Sequence, residues 1–283
     1  GRPRSGTSLA GHDPMTDTEA ILGTVAHRPW PLPRGPWVLF QSWRDLLFAH
    51  WAVEPELLRP RVPPALELDL HDGRAWIGIA PFRIEGFRPR GLPSLGPLSA
   101  FPELNLRTYV RAGGQSGVFF FSLDAGSAAA VVGARTLFRL PYRKAGMEIR
   151  DDDGLISFRS ARPDGAAAFR ASYRPTEHAF EAGPSTLEHF LTERYVLFTV
   201  LRDGRVLKGD IHHRPWALQP AEGEVDGAAL AAAENVPLPA SEPLLHFSRR
   251  LDTLIWLPLP VKGAAGSFRD RGTRCTRTPR RRS

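Results

Sequence analysis

The segment GDIHHRPW, residues 209–216, brings acidic, basic and aromatic side chains close together. If the segment is a strand, strict alternation puts Asp210, His212 and Arg214 on one face. We therefore predict that His212 and Arg214 bind a ligand at the mouth of a cavity. The alternative is a strand end whose charges neutralise one another. Because His213 would point to the opposite face, the two adjacent histidines are poorly placed to share a metal ion, and no metal site is predicted.

Lysine and cysteine chemistry have few candidates in this chain. The lysines before residue 262 are Lys144 and Lys208. The single cysteine of the chain is Cys275. The sequence also lacks a P-loop, a GxSxG elbow, an HExxH motif and a GxGxxG motif after a strand, so we predict no cofactor. The scarcity of cysteine, with no visible secretory signal and no apolar stretch of membrane-spanning length, leads us to expect a cytoplasmic protein.

The net charge of +7 belongs to one end of the chain. Residues 262–283 contain eight basic residues and one acid, so residues 1–261 are net neutral. A basic surface spread over a folded domain, as a nucleic-acid or membrane partner requires, is therefore not expected. Nucleic-acid binding by the arginine-rich tail is kept as a less favoured alternative.

The elements that must position these residues are mostly strands. Residues 127–138 and 186–194 have helical patterns, the first opening on a Ser cap. Gly113-Gly114 and Asp203-Gly204 are turn signals that join neighbouring strands into hairpins. The strands are predicted over residues 37–51, 104–112, 117–125, 147–150, 155–160, 167–173, 195–202, 205–213 and 244–257. This pattern predicts a mainly β (α+β) fold, a closed or strongly curved antiparallel barrel or sandwich with two or three short helices.

A further hairpin is predicted where His71-Asp72-Gly73 separates LELDL from RAWIGIAPFRIEGF. Both faces of the second arm are apolar, so we expect a strand that is buried on both sides. For the whole chain we expect a flexible leader over residues 1–28, a single β domain over residues 29–261 and a disordered tail over residues 262–283.

Several segments resemble the DUF2071 family of YqjF-like proteins. They are LLFAHW (46–51), DGRAWIGIAPFRIEGFRPRGLP (72–93), FPELNLRTYVR (101–111), GVFFFSLDA (117–125), GARTLFRLPYRKAGM (133–147) and GDIHHRPWALQPAE (209–222). The resemblance spans roughly residues 30–261. This family is similar in fold to acetoacetate decarboxylase, so the resemblance implies a curved, barrel-like β structure that encloses a small-molecule cavity.

The resemblance also implies candidate catalytic residues. Decarboxylases of that superfamily use two adjacent lysines, the first of which forms a Schiff base while the second lowers its pKa. Here Tyr142 falls on the first position and Arg143 on the second, so the usual amine is missing. Lys144 would share the face of Tyr142 if residues 142–144 are extended, and is the remaining candidate nucleophile. An exposed or ion-paired lysine is the alternative.

The superfamily's aromatic-x-Glu motif, whose glutamate lines the active site, matches residues 101–103. The resemblance therefore makes Glu103 a candidate acid, base or hydrogen-bond acceptor, with Arg107 or Arg135 as its partner. A structural ion pair between Glu103 and Arg135 is the alternative. We predict Glu103, Tyr142 and Lys144 as catalytic, and the remaining candidates as ligand-binding, namely Arg107, Arg135, Arg143, His212 and Arg214.

The predicted function is that of a small-molecule-binding barrel. It is expected to act on an organic acid or ketone by acid–base chemistry, as a lyase or isomerase without a lysine pair. A ligand-binding or interaction protein without catalysis is the alternative. A homo-oligomer is compatible with the sequence, which leaves the substrate and the oligomeric state open.

Overall fold

The computed structural model describes residues 14–261, apart from the side chains of residues 14–17 and 97–98. Its helices are α1 (Pro14–Gly23), α2 (Pro55–Leu58), α3 (Ala128–Leu137), α4 (Leu187–Thr192) and α5 (Ala228–Ala233). Its strands are β1 (Leu39–Val53), β2 (Glu67–Leu68), β3 (Ala75–Pro89), β4 (Phe101–Ala112), β5 (Gln115–Ala125), β6 (Tyr142–Lys144), β7 (Gly146–Asp152), β8 (Leu155–Ala161), β9 (Ala168–Pro175), β10 (Val196–Val200), β11 (Val206–His212), β12 (Gln219–Asp226), β13 (Leu244–Ile255) and β14 (Leu259–Pro260).

Seven of these strands form a closed ring. They follow the order β11-β10-β5-β4-β3-β1-β13, and β13 pairs back onto β11 at Ile255–Ile211. The neighbours are antiparallel except for β5 and β10, which run parallel over Val118–Leu197 and Phe119–Phe198. The predicted mainly β, strongly curved fold is thus confirmed, and the ring gives the molecule an inside and an outside.

Strand alternation separates the two sides of the ring wall. On β1, Leu46 and Phe48 belong to an apolar cluster inside the ring, whereas Leu47 and Ala49 belong to a second cluster outside it. The outer cluster is covered by a smaller antiparallel sheet of β7, β8, β9 and β12, together with α5. Because both sides of the wall are buried, the strands carry apolar residues on both faces, as predicted for β3.

The predicted turns have mixed outcomes. The hairpins β4–β5 at Gly113-Gly114 and β10–β11 at Asp203-Gly204 are confirmed. The prediction of a hairpin at His71-Asp72-Gly73 is wrong, because β2 pairs with β4 and not with β3. Both edges of β3 are already taken, by β1 on one side and β4 on the other, so only the tight turn between His71 and Arg74 forms.

The first part of the chain is packed against the ring. Helix α1 places Ile21 in a buried cluster beside Phe40 and Trp256. Arg28 is buried and donates to the carbonyl oxygen of Ile211 at 2.8 Å. Residues 14–28, expected to belong to a flexible leader, thus include a helix and buried side chains. The predicted disordered tail, residues 262–283, lies outside the described residues.

Candidate functional site

A cavity of about 360 Å³ lies inside the ring. Most of its wall is apolar, with aromatic rings from five of the strands and from the loop after β11, among them Phe82, Phe101, Phe120 and Trp216. A small number of polar side chains interrupts this wall. Apolar walls with a few converging polar groups are typical of small-molecule sites.

Strand β4 supplies the main polar row. Its alternation turns Glu103, Asn105 and Arg107 into the cavity, while Leu104 and Leu106 point outward into the covered cluster. The neighbouring strands β3 and β5 hold β4 on both sides along most of its length. The row is therefore built on the rigid wall and not on a loop.

Glu103 is buried and shares a hydrogen bond with Tyr142. The Tyr142 hydroxyl donates to Glu103 Oε2 at 2.9 Å, and Glu103 is 4% exposed. Burial raises the pKa of Glu103 to about 8, although hydrogen bonds from Tyr142 and Asn105 act in the opposite direction. Burial and the nearby carboxyl also raise the pKa of Tyr142 well above its ordinary value, so the phenol is neutral.

Asn105 and Arg107 carry polar atoms without partners. Asn105 Oδ1 and Arg107 Nε are buried and make no hydrogen bond with any described residue. The Arg107 guanidinium lies 5.1 Å from the centre of the Phe48 ring and makes no ion pair with a described carboxylate. A Cβ atom at Gly78 would lie 3.3 Å from Arg107 Cγ, so this glycine leaves room for the arginine.

The lining carries a second arginine, Arg194, which lies beside the same Tyr109 ring as Arg107 and is paired with a carboxylate. Arg194 Nη1 lies 2.6 Å from Asp69 Oδ2, and Arg194 Nε donates to the carbonyl oxygen of Phe190. His213 also lines the cavity and donates from Nδ1 to the carbonyl oxygen of Arg214 at 2.7 Å. Burial lowers the pKa of His213 to about 3, so its ring is neutral at physiological pH.

The mouth of the cavity differs from its interior. Leu137 of α3 is 59% exposed yet lines the cavity, as do the partly exposed Leu39 and the exposed Pro89. Helix α3 contributes one side of this mouth. The Ser127 side chain caps the N-terminus of this helix by accepting a hydrogen bond from the backbone amide of Ala130. The exposed part of the lining is therefore largely apolar.

Five of the eight predicted site residues lie outside the cavity lining, and three of these are exposed residues of α3 and β6. Lys144 is exposed and donates to the carbonyl oxygen of Gly126, so it does not share the inward face of Tyr142. Arg143 is exposed and pairs with Glu234 at 3.2 Å. Arg135 is exposed on α3 and makes no ion pair with Glu103. Glu103, Tyr142 and Arg107 are the predicted residues that the fold does bring to one cavity.

The histidine prediction missed by one residue. His212 is fully buried behind the cavity wall, where Nε2 donates to the carbonyl oxygen of Ile21 and Nδ1 accepts from Arg28. Arg214 is exposed. Ile211 and the adjacent His213 both line the cavity, so alternation holds at the end of β11, and the face that carries Asp210 and His212 is the one turned away from the cavity.

Several lining residues were not predicted. Asn105 lies between Glu103 and Arg107 on one strand, so alternation from Glu103 would have found it. Thr192 and Arg194 come from the end of α4 and the residues that follow, where no periodicity in the sequence indicates a direction. Residues 14–261 contain no group of three or more side chains able to hold a metal ion, and no helix in this range is long and apolar enough to cross a membrane.

Comparison with known sequences identifies relatives along most of the chain. A profile of the DUF2071 family, described as an uncharacterized conserved protein, matches residues 40–252. The uncharacterized protein YqjF of Bacillus subtilis (strain 168) is 46% identical over 226 residues, which cover 80% of this chain and 93% of that protein.

Solved structures share the fold at low sequence identity. Acetoacetate decarboxylase from Legionella pneumophila is 19% identical, with 91% of this chain and 98% of that chain covered and a TM-score of 0.56. The enduracididine biosynthesis enzyme MppR, complexed with the condensation product of pyruvate and imidazole 4-carboxaldehyde, is 13% identical, with 81% and 90% covered and a TM-score of 0.56. These likenesses establish an acetoacetate decarboxylase-like fold.

Proposed function

The chain belongs to the DUF2071 family, and we propose that it binds a small organic acid or ketone in its cavity and moves a proton on that molecule by acid–base catalysis. The observation that carries this proposal is the buried Glu103 carboxyl, which lines the cavity, is hydrogen-bonded to Tyr142 and has a pKa of about 8. A carboxyl group with a pKa near the working pH is present in both protonation states, as a general acid–base catalyst requires.

The proposed step is proton transfer next to a carbonyl group. The ionised Glu103 takes a proton from the carbon beside the carbonyl, and the C–H electron pair moves into the C=C bond of an enolate. The Tyr142 hydroxyl, released from the carboxylate that it had donated to, donates to the enolate oxygen. With a C=C bond between the β- and γ-carbons of the substrate, return of the proton from Glu103 to the γ-carbon completes an isomerisation; with a leaving group on the β-carbon, the enolate electron pair forms the α,β C=C bond, the carbonyl is restored and the group departs with its bonding electrons in a lyase reaction.

A Schiff base plays no part in this proposal. The cavity lining described between residues 14 and 261 contains no lysine, and the position that resembles the superfamily's nucleophile is Tyr142. A phenol cannot form an iminium ion with a carbonyl compound. The likeness to acetoacetate decarboxylase and to an enzyme bound to a pyruvate-derived product supports a carbonyl substrate at the level of fold.

The test is hydrogen–deuterium exchange on a panel of 2-oxo and 3-oxo acids and simple ketones. The full chain is incubated with each compound in D₂O, and exchange beside the carbonyl is followed by ¹H NMR. We expect enzyme-dependent exchange with at least one compound, and a loss of about 100-fold or more in Glu103→Gln. Glu224→Gln, an exposed glutamate on β12, is the matched control. Unchanged exchange in Glu103→Gln would contradict the proposal.

Ligand binding without turnover is the second candidate function. It is favoured by the missing lysine pair, since Tyr142 and Arg143 occupy the positions that resemble it. The same panel separates the two functions. A compound that binds to the wild type and to Glu103→Gln with equal affinity, but exchanges no hydrogen, would identify a binding protein. Cytoplasmic residence remains a prediction that rests on cysteine usage.

A further inference from the structure

The cavity wall holds a cation that the proton transfer at Glu103 does not use. Arg107 lines the cavity without a carboxylate partner among residues 14–261, whereas the neighbouring Arg194 is paired with Asp69. We propose that the ligand is an apolar monocarboxylic acid, held with its carboxylate on Arg107 and its hydrocarbon part toward α3. This inference rests on the proposed function only for the choice of cavity.

Charge balance favours one carboxylate, and only one. Glu103 is mostly protonated at pH 7, and His213 and Tyr142 are neutral, so they add no charge to the lining. Asp69 lies 2.6 Å from Arg194 and 3.9 Å from the more exposed Arg111, so Arg107 is the lining cation without a carboxylate partner among the described residues. A single ligand carboxylate neutralises it and can accept two parallel N–H bonds from the guanidinium group. A second carboxylate would be buried without a partner, which is costly.

Unsatisfied polar atoms point to the same place independently of charge. Arg107 Nε is a buried donor and Asn105 Oδ1 a buried acceptor, and neither has a partner in the described part of the chain. Asn105 is only 7% exposed and lines the cavity. Buried polar groups in proteins are nearly always hydrogen-bonded, so the Arg107 donor fits a ligand carboxylate, whereas the Asn105 acceptor needs a donor such as an ordered water molecule.

The apolar mouth of the cavity is the basis for proposing that the ligand has a hydrocarbon part. Leu39, Pro89 and Leu137 line the cavity while remaining partly exposed, so the route inward from solvent is apolar. A short hydrophilic acid would leave these surfaces in water. An acid with several methylene groups or a ring would cover them, with a gain in affinity of up to about fourfold for each buried methylene group.

The experiment compares four simple probes by isothermal titration at pH 7 with the full chain. Hexanoate is the proposed class, hexanamide removes the charge, adipate adds a second carboxylate and acetate removes the hydrocarbon part. We expect hexanoate to bind at least about tenfold more tightly than each of the other three. Equal binding of hexanoate and hexanamide, tighter binding of adipate, or equal binding of acetate would overturn the inference. This comparison needs no variant, so it stands even if a substitution prevents folding.

Two arginine variants locate the charge. Arg107→Gln should reduce the preference for hexanoate over hexanamide to about one, whereas Arg135→Gln, on the exposed face of α3, should leave that preference unchanged. Loss of the preference in Arg135→Gln alone would place the carboxylate elsewhere and overturn the assignment. Because these measurements report binding and the exchange assay reports turnover, hexanoate binding that persists without any exchange would disprove catalysis and leave this inference intact.

Discussion

At the scale of single residues, the behaviour of Glu103 is decided by a competition between burial and hydrogen bonding. Tyr142 and Asn105 both stabilise the carboxylate, yet burial is the largest effect and leaves the pKa at about 8. The folded protein therefore binds this proton more tightly than the unfolded chain, whose glutamates titrate near 4.5. At alkaline pH the buried carboxyl group therefore lowers the free energy of unfolding. The protein retains it in a cavity where it can act as an acid or a base.

Glu103→Gln should remove that cost. In the wild type the contribution of Glu103 to the free energy of unfolding should fall by about 1.4 kcal/mol for each pH unit between roughly pH 5 and pH 8, because only the folded state still holds the proton there. Glutamine cannot ionise, so the variant should match the wild type near pH 5 and be more stable by a few kcal/mol at pH 9. Urea unfolding at several pH values measures the difference, with Glu224→Gln as the control. A difference in the free energy of unfolding between Glu103→Gln and the wild type that stays constant across pH would contradict this prediction.

Tyr142→Phe should raise the pKa of Glu103 further. The Tyr142 hydroxyl donates to the carboxylate and so lowers the pKa, and phenylalanine cannot replace that bond. The titration of Glu103 can be followed by ¹³C NMR of its labelled carboxyl carbon. Tyr173→Phe is the matched control, since the Tyr173 hydroxyl donates to the carbonyl oxygen of Asp45 in another part of the molecule. A lower pKa in Tyr142→Phe would show that the bond does not hold the carboxylate.

The sequence indicated the residue types of this site better than their directions. Alternation on a long strand would have grouped Glu103 with Asn105 and Arg107, because β4 is held on both sides. For His212 the rule held, because Ile211 and His213 line the cavity, but the rule does not tell which face points inward. It failed for Lys144, which ends a strand of three residues. Alternation is a property of strand interiors, and at strand ends local contacts decide where a side chain points.

At the scale of elements, closure of the ring depends on the parallel contact between β5 and β10. A Cβ atom at Gly117 would lie 2.5 Å from the backbone oxygen of Val196 and 2.7 Å from a ring carbon of Phe198. The chain therefore needs glycine where the two strands approach. The hairpins around this contact were predictable from their Gly-containing turns, but the β5–β10 pairing joins distant segments and has no local signal.

Gly117→Ala should destabilise the ring, because the new methyl group meets a backbone atom that cannot move alone. We expect a loss of about 1–3 kcal/mol or more in the free energy of unfolding, measured in urea. Gly133→Ala is the matched control, since a Cβ atom there has open space within helix α3. That variant should gain about 0.5–1 kcal/mol from helix propensity. Equal effects of the two substitutions would contradict the close contact.

At the scale of the whole molecule, a buried ion network joins the ring to the outer sheet. Asp124 lies on ring strand β5, Arg162 follows β8 of the outer sheet, and Glu234 follows α5. Arg162 contacts both acids, at 2.8 Å to Asp124 and 2.7 Å to Glu234. Asp124 is 1% exposed, so its charge depends on this partner. The network fixes the layer that covers the outward face of β4, and with it the row of Glu103, Asn105 and Arg107.

Arg162→Leu should destabilise the protein by about 3–5 kcal/mol, because it leaves Asp124 buried and without its partner. The double variant with Asp124→Asn should recover part of the loss, since the uncompensated charge is then gone. Arg174→Leu, which breaks the exposed pair with Glu222 between β9 and β12, should cost no more than about 1 kcal/mol. Urea unfolding measures all three. Similar losses for Arg162→Leu and Arg174→Leu would contradict this prediction and would mean that apolar packing alone holds the two layers together. In that case Arg162→Leu should leave the affinity of the cavity for its ligand unchanged.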